Sequence, residues 1–175
     1  IELQDPLQND YAQSLLGLPA EADWKLRNPY SDKCLINDFL GYEVFEEMGN
    51  YSVRRRMVEV FRDTNGGKLR YPQDYHGVMV FLEKIERGKN RVDITEMTPE
   101  SVEEPELSGG YMFKKDKDSA GDRNFSVTGG AGHATQTLKM HEPKPKEVTD
   151  IQVNWLDNYL TQFTASMYAT DWLTR

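Results

Sequence analysis

The chain is poor in the residues that fix a fold by covalent or metal chemistry. Cys34 is its single cysteine, so no intrachain disulfide can form, and this count does not choose a redox compartment. The histidines His76, His133 and His141 are scattered, with no second ligand at helical or turn spacing, and they nominate no zinc site. Apolar runs are short, and none approaches the roughly 18 residues of a membrane span. Basic residues are in deficit, 21 against 29 acids, for a net charge of -8. Neutralising phosphates along a nucleic acid needs a basic face, so that partner class is set aside. Ile1-Glu2-Leu3 has neither an initiator methionine nor a signal-peptide pattern, and the sequence reads as a fragment, a mature form or an excised piece.

What remains is a globular composition. Hydrophobic residues make up 38% of the 175, charged residues 29% and aromatics 11%, enough bulky material for one ordinary domain with one core. Internal repeats are absent.

Hydrophobic spacing predicts an α+β fold, an antiparallel sheet with flanking helices. Residues 1–23 read as an N-terminal arm with a short helix around Leu15, Leu16 and Leu18. Ser31 and Asp32 predict the start of a helix running to Met48, with Phe39 and Phe45 on its apolar stripe and Gly49 ending it. Residues 57–62 and 77–85 predict an antiparallel strand pair, the second buried on both faces through Val78 to Leu82. Arg54 to Arg56 read as a solvated lead-in. Short extended pieces follow at 91–95, 110–115, 125–128 and 135–140, with an acidic loop from Thr98 to Glu106. Thr149 predicts the cap of a last helix carrying Ile151, Trp155, Leu156, Tyr159, Leu160 and Phe163.

The candidate site lies where the buried strand surfaces, at Glu83 and Lys84. A strand lysine can hold nucleotide phosphates once a nearby carboxylate has oriented it. Strict alternation sends Lys84 to the face of Val78, Val80 and Leu82 and Glu83 to the face of Met79 and Phe81, so the two do not enter one cleft together. Lys114, on the strand near 110–115, is the rival phosphate ligand. The plain alternative is that both lysines are strand ends reaching to water. Gly129 to Gly132 could cradle a phosphate, but without the Gly-Lys-Ser/Thr of a Walker loop a hairpin turn is the better reading.

Several segments, taken in order, resemble the spore coat protein H (CotH) kinase family. They are Trp24, Pro29-Tyr30-Ser31-Asp32-Lys33, Gly77, Glu83-Lys84-Ile85, Arg91-Val92-Asp93 and Ser108-Gly109-Gly110-Tyr111. There are two departures from the pattern: Asn37-Asp38 stand where Arg-Asn is usual, and Met79 where a tyrosine is usual. The resemblance implies an atypical protein kinase, with residues 24–148 as an N-lobe-like part and 149–175 as a helix leading to a C-terminal lobe. It implies ATP and Mg as cofactors of the complete protein, with Lys84, Glu83 and Lys114 on the nucleotide side. Its substrates would be serine or threonine of coat or surface proteins, at an extracellular, cell-surface or spore-coat location. Val-Asp-Gly-Tyr and Trp-Asp-Phe-Asp, the motifs that carry catalysis and metal binding in the family, do not occur in the 175 residues, so no catalytic or metal residue is assigned. Possible homodimerisation goes with this reading. The rivals are a non-catalytic coat or extracellular assembly module and, prompted by Trp24, Trp155 and Trp172, a carbohydrate-surface module.

Overall fold

The computed structural model describes residues 1–129 and 132–171. They form two compact units divided between Val92 and Asp93. Each has its own core, where length alone suggested one. Among the described residues the fold is α+β, two antiparallel three-stranded sheets and two helices.

In the first unit β1 (Trp24–Arg27), β2 (Arg55–Phe61) and β3 (Tyr75–Glu83) form a sheet in the order β1-β3-β2. The apolar run of β3 earns the central place, because a strand covered on both faces needs neighbours on both edges. Phe81 packs with Leu18 and Trp24 on one face, its ring stacked 4.9 Å from that of Trp24. Val80 and Leu82 pack with Val53, Phe39 and Tyr42 on the other. The expected pairing of β2 with β3 is present, with a bulge between Val60 and Phe61. Trp24 is buried at the heart of this unit and offers no surface to a sugar.

Helix α1 spans Asn37–Glu47, later than the start expected at Asp32. Its N-cap position is Ile36, which makes no side-chain cap bond. Asp32 does the capping from a distance, accepting hydrogen bonds from the Asn37 amide at 2.7 Å and the Cys34 amide at 3.0 Å. Ser31 is not the cap. The helix also packs differently from the expectation: none of its residues is buried, Phe39 is half-buried and Phe45 is 48% exposed. The physical reason is Arg55, which is 4% exposed and corrects its reading as a solvated lead-in. Its guanidinium lies 4.9 Å from the Phe39 ring centre and 5.9 Å from that of Tyr42. The same group takes Glu43 and, at 3.2 Å, Glu46. An arginine clamp, added to the narrow apolar contact of Phe39 and Tyr42 with Val53, Val80 and Leu82, holds α1 to the sheet.

The N-terminal arm contains no helix. Leu16 and Gly17 have positive φ, at 52° and 76°, which turns the chain, and isolated bridges join Glu2 to Asp23 and Gln13 to Glu21. The leucines at helical spacing serve a loop that drives Leu18 into the core.

In the second unit β4 (Met112–Lys114), β5 (Asn124–Val127) and β6 (Gln136–Glu142) pair in the order β4-β6-β5. Helix α2, Asp150–Met167, lays Val153 and Leu156 on Phe125, Val127 and Met140. Thr149 caps it as expected, in a reciprocal capping box with Gln152. The Gln152 side chain also donates to the carbonyls of Thr98 and Ser101, at 2.7 and 3.0 Å, and so ties the acidic loop to the helix start. The piece expected at 91–95 is not a strand, and only a bridge between Arg87 and Val92 marks it. Gly130, Ala131 and Trp172 lie outside the described residues, so the Gly129 to Gly132 turn and one of the three tryptophans are not characterised further.

Candidate functional site

At the end of β3 the two neighbours Glu83 and Lys84 part company. Glu83 is fully buried. One of its carboxylate oxygens takes the Arg91 guanidinium and lies 3.2 Å from Arg54 Nε, and the other accepts from the Arg54 amide at 3.0 Å. Arg91 is itself buried, with its guanidinium 5.1 Å over the Trp24 ring. Tyr51 lies near enough for its phenol to be pushed above the ordinary range, first by burial and then by the Glu83 charge.

Lys84 is 38% exposed in its side chain and sits between Asp23 and Glu86, the latter at 3.2 Å. The Asp23 hydrogen bond, acting against desolvation and joined by Glu86, holds the ammonium above the usual lysine range. Lys84 is therefore a fixed cation at a surface, whereas Glu83 orients Arg91 and Arg54. The two groups do not face each other, in agreement with simple alternation. Asp23 carries no local sequence signal as a partner, because it reaches Lys84 only through the pairing of β1 with β3.

Lys114, in the second unit, lies on β4 directly opposite Lys139 of β6. Its ammonium is 3.3 Å from Asp116. Lys139 is 2% exposed and is met by the Lys117 carbonyl, by Asp122 at 2.7 Å and by Asp118 at 2.9 Å. Burial opposes its charge, yet the hydrogen bonds it donates to Asp122 and Asp118 carry its pKa above the usual lysine range. Asp122 is correspondingly held below the ordinary carboxylate range, first by Lys139 and then by the Ser119 amide. Sequence reading passed over Lys139. The sequence shows only a lysine between two apolar residues, Leu138 and Met140, and its place beside Lys114 comes from the register.

Among the described residues no three His, Cys, Asp or Glu side chains gather in a way that could hold a metal ion. No helix among them is long and apolar enough to cross a membrane.

The family model for CotH kinase protein matches residues 1–174. The chain belongs to the CotH kinase protein family. The CotH match runs through both units, so the buried Glu83–Arg91 pair and the Lys114–Lys139 face both lie in CotH sequence. It supports a CotH-type, kinase-related and spore-coat-associated role. No curated protein and no solved structure matches the chain.

Proposed function

We propose that this CotH-family chain is the nucleotide-side part of an atypical protein kinase, comparable to an N-lobe, with residues 24–148 as the lobe and 149–175 leading toward a C-terminal lobe. In the complete protein it would serve transfer of a phosphoryl group from ATP, with Mg, to serine or threonine of coat or surface proteins. The family match over residues 1–174 carries this reading.

Phosphoryl transfer is mostly positioning and charge stabilisation, so the contribution asked of this chain is fixed cations. Lys84, steadied by Asp23 and Glu86, and Lys114, steadied by Asp116, have the chemistry to hold phosphate oxygens. Glu83 acts behind Lys84 by keeping the end of β3 in place through Arg91 and Arg54. The metal ligands and the base belong, on this reading, to the partner lobe. The isolated chain should then bind nucleotide weakly and hydrolyse none.

A second reading, a non-catalytic coat or extracellular assembly module, is favoured by the outer face of α2. Tyr159, Phe163 and Met167 are each more than half exposed there, and an apolar face of that kind marks interaction surfaces. Homodimerisation through it would show in light scattering at several concentrations. The deciding experiment is incubation of the complete protein with labelled ATP and a serine-rich coat protein. Transfer that is lost in Lys84→Ala supports the kinase reading, and a folded complete protein without transfer favours the assembly module.

A further inference from the structure

The face of the second sheet turned away from α2 carries a row of polar groups. Phe113, Phe125, Leu138 and Met140 belong to the α2 side, where Phe113 meets Phe125 edge-on and the others build or border the core. Alternation then sends Lys114, Lys139 and Asn124 to the other face. The register sets them side by side, with Lys139 opposite Lys114 on one edge and opposite Asn124 on the other.

Two ammonium groups directly opposite on neighbouring strands repel each other. Here the repulsion is offset by one segment, the connection between β4 and β5. Asp116 reaches Lys114, and Asp118, Asp122 and the Lys117 carbonyl reach Lys139. That segment, from Asp116 to Arg123, has no large apolar residue. Lifting it would exchange ion pairs and expose Lys139 without taking apolar side chains of the segment out of a core.

We propose that Lys114 and Lys139 form a polyphosphate site that the chain's own Asp116, Asp118 and Asp122 plug. The carboxylates stand where phosphate oxygens would bind, and a polyphosphate displaces them. Linked phosphates suit the site because they place two charged groups within the span of adjacent strands, about 4.8 Å. A single phosphate engages one lysine and leaves the other with its aspartate. The ligand is thus inorganic polyphosphate or the triphosphate end of a nucleotide. This rests on the nucleotide-side reading above and adds a lysine and an internal competitor to it.

The test measures binding of inorganic triphosphate, ATP and AMP to the full chain by calorimetry, with circular dichroism to confirm folding. Asp118→Asn/Asp122→Asn should bind triphosphate at least about ten-fold more tightly than the unaltered chain, since like charge has been removed from the site. Adding Lys114→Ala should cancel the gain. ATP should follow triphosphate and AMP should not bind, whereas triphosphate without ATP would mark the site as one for inorganic polyphosphate. A folded Asp118→Asn/Asp122→Asn variant with no gain, or a gain that survives Lys114→Ala, overturns the proposal.

Because losing both carboxylates strands the buried Lys139 charge, Asp118→Asn alone, which keeps Asp122 on Lys139, carries the same test if the double variant does not fold, and Lys139 is read in either variant by acetylation footprinting. Triphosphate should protect both Lys114 and Lys139, and failure to protect Lys139 also overturns the proposal. Failure of the kinase reading looks different. If the site behaves as stated while the complete protein transfers no phosphoryl group, the site stands and that reading falls. If ATP binding depends on Lys84 and is indifferent to Lys114, the reading stands and the site falls.

Discussion

Glu83 closes on Arg91 at the end of β3, and its sequence neighbour Lys84 turns to Asp23 and Glu86 instead. The pair is buried on both sides, and Arg91 Nε and Nη2 have no hydrogen-bond partner among the described residues. Such a pair contributes little net stability when intact, but removing one partner strands the other charge in a dry site.

Glu83→Leu should therefore lower stability by about 3–5 kcal/mol and Arg91→Met by less, since Arg54 still meets Glu83, while the combined Glu83→Leu/Arg91→Met change costs less than their sum. Urea unfolding followed by tryptophan fluorescence measures this. Additive losses would mean that the two groups act independently.

Gly110 and Gly41 stand at opposite extremes of the room a side chain would find. A Cβ on Gly110 would come within 2.0 Å of the Thr95 carbonyl oxygen, and the residue has φ +78°. Gly110→Ala should destabilise the second unit by at least about 1–3 kcal/mol, the scale of a strained backbone position. Gly41, inside α1, meets nothing within 4 Å and has no positive φ. Gly41→Ala should stabilise by about 0.5–1 kcal/mol, as alanine replaces glycine in a helix. Denaturation midpoints of the two variants moving in the same direction would contradict this.

Tyr111 gives the chain an alkaline limit. Its phenol donates to the Leu107 carbonyl at 2.9 Å and stacks on Trp155. Burial first, and then the Glu104 charge, push its pKa from 10.0 to about 12. The unfolded chain gives up this proton near 10 and the folded chain holds it to about 12, so stability falls as pH rises through that window. Below it the group adds no pH dependence. A difference titration of phenolate absorbance between the unaltered chain and Tyr111→Phe should show one late-ionising tyrosine, and an added transition near 10 would refute the assignment.

What the sequence makes legible here is regular and local. The apolar run of β3 announced a strand covered on both faces, and Thr149 with Gln152 announced the start of α2, because both signals lie within a few residues of what they determine. The arm around Leu15, Leu16 and Leu18 misled because helical spacing says nothing of the positive φ at Leu16 and Gly17. β1 is four residues long, too short for alternation to register. Arg55 looked like a surface residue because its partners, Phe39, Tyr42, Glu43 and Glu46, lie on a different element. The candidate site divides in the same way. Lys84 and Lys114 were visible at strand ends, while Lys139 emerges only when the register puts it beside Lys114.

Gln152 has a mechanical consequence. One amide side chain completes the helix cap and grips the carbonyls of Thr98 and Ser101, 54 and 51 residues away in sequence. Just beyond that grip, Glu104 receives the Trp155 indole N–H at 3.1 Å. The acidic segment is thus tied to α2 at two successive turns. A binding partner that draws on Glu100, Glu103 or Glu106 would be pulling a lever whose other arm is the aromatic stack of Tyr111, Trp155 and Tyr159.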